Sequence, residues 1–150
     1  MAEDGPSPEN DAPSYTHRHR VRYRECDPMG VVYHAHYVDF FEATRTEALR
    51  HFGLPYKALE DGGVEMPVVD LGVRYRRPAR YDDLLEIEVA FPEPPGARIR
   101  TVYTVRRVGD PTVLVEGQVT LCFFSRERGR PVACPPQVRE ALARAAEAEA

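Results

Sequence analysis

The sequence has few cysteines, and none of them lies in a Cys-x-x-Cys motif. The three that it has, Cys26, Cys122 and Cys134, are odd in number and are expected to be reduced thiols, as is typical of cytoplasmic proteins. No apolar run is long enough to span a bilayer, and the N-terminus lacks the basic and apolar regions of a signal peptide. These absences predict a cytoplasmic protein without membrane insertion.

Lysine is almost absent, since Lys57 is the only one, and arginine supplies the remaining basic side chains. The formal net charge of −4 excludes a general electrostatic attraction to nucleic acid or to an anionic membrane. Hydrophobic residues make up 43% of the 150 residues and charged residues 29%, which is typical of a globular chain. This length predicts a single domain with a sizeable core.

The first 15 residues are polar, acidic and rich in proline, so they carry too little apolar surface to offset the entropy of ordering. We therefore predict a mobile tail over residues 1–15 and a folded domain over residues 16–134. Residues 135–150 begin with two prolines and then contain good helix formers, which predicts a weakly apolar C-terminal helix at the surface.

One strong helical pattern lies in the body of the chain, where apolar side chains recur at spacings of three and four. Gly53 and Pro55 end this pattern, and a short second helix is predicted over residues 55–61. The apolar stripe predicts a helix that runs through the core, and its members are Tyr37, Phe40, Phe41, Thr44, Ala48 and Phe52.

Strand patterns with a period of two precede and follow this helix. They occupy residues 17–23, 69–75, 85–91, 99–105 and 113–123. Short turns join the last four, which favours an antiparallel meander, and Gly117 inside the last strand indicates a bulge. A meander with one helix on a face of the sheet is an α+β architecture.

A turn and the residues after it carry a family resemblance. Asp27-Pro-Met-Gly has the residue preferences of a type I turn. The run Asp-Pro-Met-Gly-Val-Val-Tyr-His at 27–34, with Tyr37 and Phe-Phe-Glu-Ala-Thr-Arg at 40–45, resembles the signature of the 4-hydroxybenzoyl-CoA thioesterase family. It is most similar to the bacterial acyl-CoA thioesterase branch associated with the Tol-Pal system. Residues 76–84 resemble the family's second recurring segment, and the similarity extends over about residues 17–124.

This resemblance implies a hotdog fold, in which an antiparallel sheet wraps around one long central helix. It implies hydrolysis of acyl-CoA, with a short-chain aliphatic or an aromatic acyl group, to the free acid and coenzyme A. No metal and no cofactor are expected, because coenzyme A is part of the substrate. It also implies a homo-oligomer, either a dimer or a tetramer, in which sheets join edge to edge.

The resemblance implies specific roles at the start of the helix. Asp27 stands at the position of the acidic catalyst, although a side chain that only caps its turn is the simpler interpretation of the spacing. Both roles are compatible only if one carboxylate oxygen stays free. His34 matches a histidine of the branch, and the backbone N–H groups of Tyr33 and His34 are candidate donors to a thioester oxyanion. Gly30 permits close approach of a substrate beside Val31.

Arginines before the third strand pattern have two interpretations. Arg76 and Arg77 are candidates to hold the phosphates of coenzyme A, since guanidinium groups suit phosphate oxygens. The alternative is a solvated sheet face on which the arginines pair with Glu86 and Glu88 of the next strand.

Two other chemistries are weaker. A metal site could use His17, His19 and Asp27, but nothing completes a ligand set. Cys26 could act as a nucleophile, but the neighbouring carboxylate of Asp27 would raise its pKa. His36 receives no role.

Two alternative functions share the predicted fold. The first is a non-catalytic protein that binds acyl thioesters or regulates their use. The second is a dehydratase, which needs a histidine paired with an acid in a motif that this sequence lacks.

Overall fold

The computed structural model describes residues 12–149. Most of the predicted tail lies outside these residues, but Ala12 and Pro13 are buried and the Pro13 carbonyl accepts the Phe91 N–H at 2.9 Å. The elements are β1 (Ser14–Arg20), a 3-10 turn (Tyr23–Glu25), α1 (His36–His51), α2 (Tyr56–Asp61), β2 (Val64–Glu65), β3 (Val68–Tyr75), β4 (Leu84–Ala90), β5 (Arg98–Arg107), β6 (Val113–Ser125), β7 (Arg130–Val132) and α3 (Pro136–Glu149).

Helix α1 is the central helix that the apolar stripe predicted. Its buried side chains are Tyr37, Phe40, Phe41, Thr44, Ala48 and Leu49. Full burial of one such large apolar side chain contributes about 1.5–3 kcal/mol, so packing rather than intrinsic propensity stabilises this helix. The helix packs on β1 and β4, and the ring of Phe41 stacks on that of Tyr103 in β5 with centroids 4.4 Å apart.

The sheet is antiparallel, and β1, β4, β5 and β6 pair in that order. The alternation in β4 and β5 was predicted correctly, because their inward residues are fully buried while their neighbours are partly exposed. Short strands β2 and β7 pair with the end of β6. The inward residues of β4 and β5 form the centre of the core and are Leu85, Ile87, Val89, Ile99, Thr101, Tyr103 and Val105.

The predicted meander is wrong for β3. This strand pairs with β6 along the same residues that pair with β5, so β3 lies on the far side of β6 and forms an edge of the sheet. The connection over residues 76–83 is long enough to cross the sheet and return to β4. Its backbone is held on the way, because the Val32 N–H donates to Ala79 O at 2.9 Å and Val31 bridges Arg80.

Gly117 does not mark a bulge. It pairs in continuous register with Tyr103 of β5 and with Val73 of β3, and the irregularity in β6 lies instead opposite Val105 and Arg106. A Cβ at Gly117 would lie 2.5 Å from Phe41 Cζ. The glycine therefore gives the central helix room to approach the sheet.

Helix α3 packs more deeply than the sequence suggested, since Val138, Ala141 and Leu142 are buried against the core. The whole arrangement is α+β and is the hotdog fold that the resemblance implied. Within the described residues, no helix combines the length and the apolar character needed to cross a membrane.

Candidate active site

The turn before α1 places Asp27. The Gly30 N–H donates to Asp27 O at 2.9 Å, which closes the turn, and Gly30 adopts a φ of 82° that glycine tolerates best. The Asp27 side chain also binds its own turn, because Oδ1 accepts the N–H of Met29 at 2.9 Å and that of Val31 at 3.4 Å. The capping role is therefore present.

The second carboxylate oxygen of Asp27 remains available for chemistry. Within residues 12–149, no group donates a hydrogen bond to Oδ2. One oxygen can therefore hold the turn while the other faces a substrate or a water. This is the condition under which capping and catalysis are compatible in one side chain.

The backbone at the start of α1 offers unpaired donors, as helix starts do. The Tyr33 N–H is already used, since it donates to Glu25 O at 2.9 Å. The N–H groups of His34 and Ala35 have no acceptor within the described part of the chain. Of the two backbone donors predicted from the sequence, His34 is thus the one whose N–H is available, and Ala35 is one that the sequence did not indicate.

An open cavity of about 330 Å³ collects most of the predicted site residues. Gly30 and Tyr33 are absent from its lining, although Tyr33 lies beside it with its ring against that of His34. The lining residues are Asp27, Met29, Val31, Val32, His34, Tyr37, Tyr75, Arg76, Arg77 and Pro78. The fold therefore joins the turn, the helix start and the end of β3 around one space.

Two tyrosines form an aromatic wall that sequence reasoning missed. The sequence pattern places Tyr37 in the apolar stripe of the core helix and Tyr75 in a strand, and it indicates no part in the acyl site for either. Their ring centroids lie 5.7 Å apart, and the Tyr75 hydroxyl donates to His34 O at 2.8 Å. Burial raises the pKa of both phenols, so both remain protonated well into the alkaline range.

The arginines at this cavity are not equivalent. Arg76 is paired with Glu116 of β6 at 2.8 Å. This replaces the predicted pairing with Glu86 and Glu88, because β6 rather than β4 is the neighbour of β3. Arg77 is exposed and makes no close side-chain hydrogen bond or ion pair within the described residues, although its charge interacts with Asp110. Arg77 is therefore the freer cation for an anionic ligand.

Glu25, two residues before Asp27, stabilises the start of the turn. Its carboxylate accepts the Arg22 N–H at 2.8 Å and lies 2.8 Å from His19 Nε2. Burial alone would raise the pKa of Glu25, but the hydrogen bonds from Arg22 and His19 hold it below its usual value. The ionised Glu25 thus ties β1 to the segment that carries Asp27.

Neither weaker chemistry gains support. Burial, Asp27 and Glu25 all raise the pKa of the Cys26 thiol, so this cysteine is a poor nucleophile at neutral pH. Among residues 12–149, no group of three or more His, Cys, Asp or Glu side chains could hold a metal ion. His36 lies 3.2 Å from Asp39 on the exposed side of α1.

A hotdog fold in which a carboxylate and the residues before the central helix line one cavity is a scaffold suited to acyl transfer. The chain belongs to the thioesterase-like superfamily, whose family model matches residues 21–142. This confirms the resemblance noted in the sequence.

Individual relatives agree with this membership. The acyl-CoA thioester hydrolase YbgC of Escherichia coli O6:H1 (strain CFT073) is 38% identical over 120 residues, covering 79% of this chain and 88% of that protein. The acyl-CoA thioesterase YbgC of Haemophilus influenzae is 35% identical over 124 residues, covering 82% and 90%. A hypothetical protein from Thermus thermophilus superposes with a TM-score of 0.79 at 35% identity, covering 85% and 96%.

Proposed function

We propose that this chain hydrolyses acyl-CoA thioesters to a free acid and coenzyme A. The proposal rests on two groups that lie at one cavity. One is a carboxylate oxygen without a hydrogen-bond partner in the described residues, and the other is a backbone N–H without an acceptor there. These groups belong to Asp27 and His34. The names of the two YbgC relatives support coenzyme A as the thiol of the substrate.

The reaction needs one electrophile, one base or nucleophile, and one oxyanion donor. The thioester carbonyl oxygen lies against the His34 N–H, where the helix dipole is positive. Asp27 either removes a proton from an attacking water or attacks the carbonyl carbon itself to form a mixed anhydride. Collapse of the tetrahedral intermediate breaks the C–S bond. On the general-base route, the thiolate takes the proton that Asp27 removed from water, and the acid is already free. On the anhydride route, the thiolate takes a proton from solvent, and a water molecule then opens the anhydride to release the acid and restore the Asp27 carboxylate. No metal and no further cofactor enter these steps.

The cavity wall supports an acyl group of modest size. Val32 and the rings of Tyr37 and Tyr75 give an apolar side, and the volume of about 330 Å³ suits a short aliphatic or an aromatic acyl group. The His34 ring lines the same space and would orient the thioester. Its contribution is smaller than that of its backbone, which remains in any side-chain variant.

A substrate panel tests this function. Purified protein is mixed with acetyl-CoA, longer acyl-CoA thioesters and aroyl-CoA thioesters, and release of the free thiol is followed with time. Catalytic turnover of at least one thioester supports the proposal. Tight binding of the same compounds without thiol release supports the non-catalytic alternative instead.

Arg77→Ala is expected to raise KM for the best acyl-CoA by about tenfold with little change in kcat, because a phosphate contact is shared by ground and transition states. Arg76→Ala should have the smaller effect, since Glu116 already occupies that guanidinium. Added salt should mimic the loss. Arg144→Ala on α3 is the control for general loss of charge. Equal KM values in all four proteins would place the nucleotide elsewhere.

We also propose a homo-oligomer, a dimer or a tetramer, in which two copies join through the outer edge of β3. This edge has eight residues and no second strand partner among the described residues. A long edge with exposed apolar side chains favours pairing with another strand. Pairing with a second copy about a two-fold axis would continue the sheet. The exposed apolar residues of this strand are Val68, Val69, Leu71 and Tyr75.

Light scattering is expected to give at least twice the 17.0 kDa mass of one chain. Leu71→Lys should lower that mass, because a charge on the edge opposes strand pairing. Thr16→Lys on β1, at the opposite edge, should leave the mass unchanged. A wild-type protein that is monomeric at micromolar concentration and fully active would exclude this assembly.

We propose that the protein is located in the cytoplasm, because Cys26, Cys122 and Cys134 form no disulfide.

A further inference from the structure

One hydrogen bond joins the edge strand to the start of the central helix. The Tyr75 hydroxyl, at the end of β3, donates to the carbonyl oxygen of His34 at 2.8 Å. The two residues are 41 positions apart in the chain. This bond therefore fixes the peptide between His34 and Ala35 from outside the helix.

The Tyr75 ring contacts two other rings at the start of α1. It packs edge-on against Tyr37 at 5.7 Å and against the His34 ring at 6.3 Å. Tyr37 is 2% exposed and anchored in the core. Tyr75 is 49% exposed, and these two ring contacts together with the hydroxyl bond place it over the His34 carbonyl.

The peptides on either side of His34 bear the unpaired donors of the site. The preceding residue is held by the bond from Tyr33 N–H to Glu25 O, and Tyr33 O accepts the His36 N–H at 3.0 Å. The bond from Tyr75 restrains the following peptide. Because both neighbours of the His34 Cα are then fixed, the direction of the His34 N–H is fixed as well. A hydrogen bond to this carbonyl also polarises the Ala35 N–H of the same peptide.

We propose that Tyr75 is a positioning residue that holds the oxyanion-donating backbone of His34 and Ala35 in its reactive geometry. The inference rests on the proposed thioester hydrolysis. It assigns to the edge strand a part in the chemical step, beyond the apolar wall that its ring supplies to the acyl group. Burial raises the pKa of Tyr75, so the hydroxyl remains a donor throughout the neutral and mildly alkaline range.

Tyr75→Phe separates positioning from packing, because it removes the hydroxyl and keeps the ring. We expect kcat to fall by about 3- to 10-fold, which is the range for the loss of one neutral hydrogen bond. KM and the thermal midpoint should change little, since the aromatic wall remains. Tyr81→Phe is the matched control, because Tyr81 is 57% exposed and lies outside the cavity lining.

A second measurement reports on the backbone without turnover. In NMR spectra of isotope-labelled protein, the His34 carbonyl carbon and the Ala35 amide proton should shift upfield in Tyr75→Phe and stay in place in Tyr81→Phe. This readout applies to any folded fraction of the variant, even if its activity is too low to measure.

The outcomes distinguish this inference from the proposed function. A wild-type protein that releases no thiol from any thioester would overturn the proposed function and, with it, a role of Tyr75 in catalysis. The NMR shifts would then test only whether the Tyr75 hydroxyl is bonded to the His34 carbonyl. An active wild type with unchanged kcat in Tyr75→Phe would overturn the positioning role only. A rise in KM with constant kcat would also overturn it, because the hydroxyl would then be a substrate contact.

Discussion

Asp27→Asn is expected to fold normally and to lose kcat by a factor on the order of 10²–10⁴, the range for general acid–base catalysis. Asparagine retains the Oδ1 acceptor that binds the N–H groups of Met29 and Val31, so the turn survives. The second oxygen is replaced by an NH₂ group, which can neither take a proton from water nor attack a carbonyl carbon. The measurement is kcat on the best acyl-CoA, with the thermal midpoint as the test of folding.

The chain offers a matched control for this change. Asp110 Oδ1 accepts the Thr112 N–H at 2.9 Å in the turn before β6, which is the same local use of a carboxylate outside the cavity. Asp110→Asn should keep wild-type kcat, and kcat is the quantity compared because the charge of Asp110 interacts with that of Arg77. A folded Asp27→Asn protein with near wild-type kcat would remove Asp27 from the mechanism and leave it only the capping of its turn.

Hydrolysis in isotopically labelled water under single-turnover conditions examines the two versions of the mechanism. Label that enters the Asp27 carboxylate requires a mixed anhydride that water opens at the Asp27 carbon. Label that enters only the product acid is expected if Asp27 is a general base. An anhydride opened at the acyl carbon gives that pattern too, so only label in Asp27 decides between the two versions.

Local patterns in the sequence predicted most of the elements. The apolar stripe of α1 and the alternation in β4 and β5 each show which side of the element packs into the core. The turn at Asp27–Gly30 was also readable, since its residues have strong positional preferences. In all these cases, the interactions that determine the structure lie within a few positions of one another.

The order of the strands was not readable in the same way. β3 has the alternation of a half-buried strand, yet seven of its eight residues are exposed in the chain, and only Val73 is partly buried. Nothing in its own pattern shows that the connection over residues 76–83 crosses the sheet. The misplaced strand led directly to the wrong partners for Arg76, which pairs with Glu116 across β6.

The candidate catalytic residues were predicted from one continuous segment, and Arg76 and Arg77 from a second, whereas Tyr75 was not assigned to the site. Asp27, Val31 and His34 lie within eight positions and were predicted together, and all three line one cavity. Tyr75 reaches His34 only because β3 ends beside the start of α1, which is a consequence of the topology. The use of the Tyr33 N–H by Glu25 is likewise a pairing between segments that a periodic pattern does not reveal.

Gly117 is another residue whose role depends on a distant partner. A glycine in a strand indicates either a bulge or a close approach of another group, and the sequence favoured the bulge. The structure shows the close approach, with the Phe41 ring over the glycine and stacked on Tyr103. The helix can lie this near the sheet only while position 117 has no side chain.

Gly117→Ala is therefore expected to destabilise the fold by about 1–3 kcal/mol, the usual cost of overpacking a core. The new Cβ would lie 2.5 Å from Phe41 Cζ, so the ring or the helix must shift. For a domain of this size each kcal/mol lowers the thermal midpoint by roughly 2–4 °C. Gly72→Ala in β3 is the matched control, because its Cβ would meet only Gln118 Cγ at 4.0 Å.

Phe41→Leu should relieve part of the strain, so the double variant Phe41→Leu/Gly117→Ala should lose less stability than the sum of the single changes. Equal thermal midpoints for Gly117→Ala and Gly72→Ala would show that the helix does not depend on this contact.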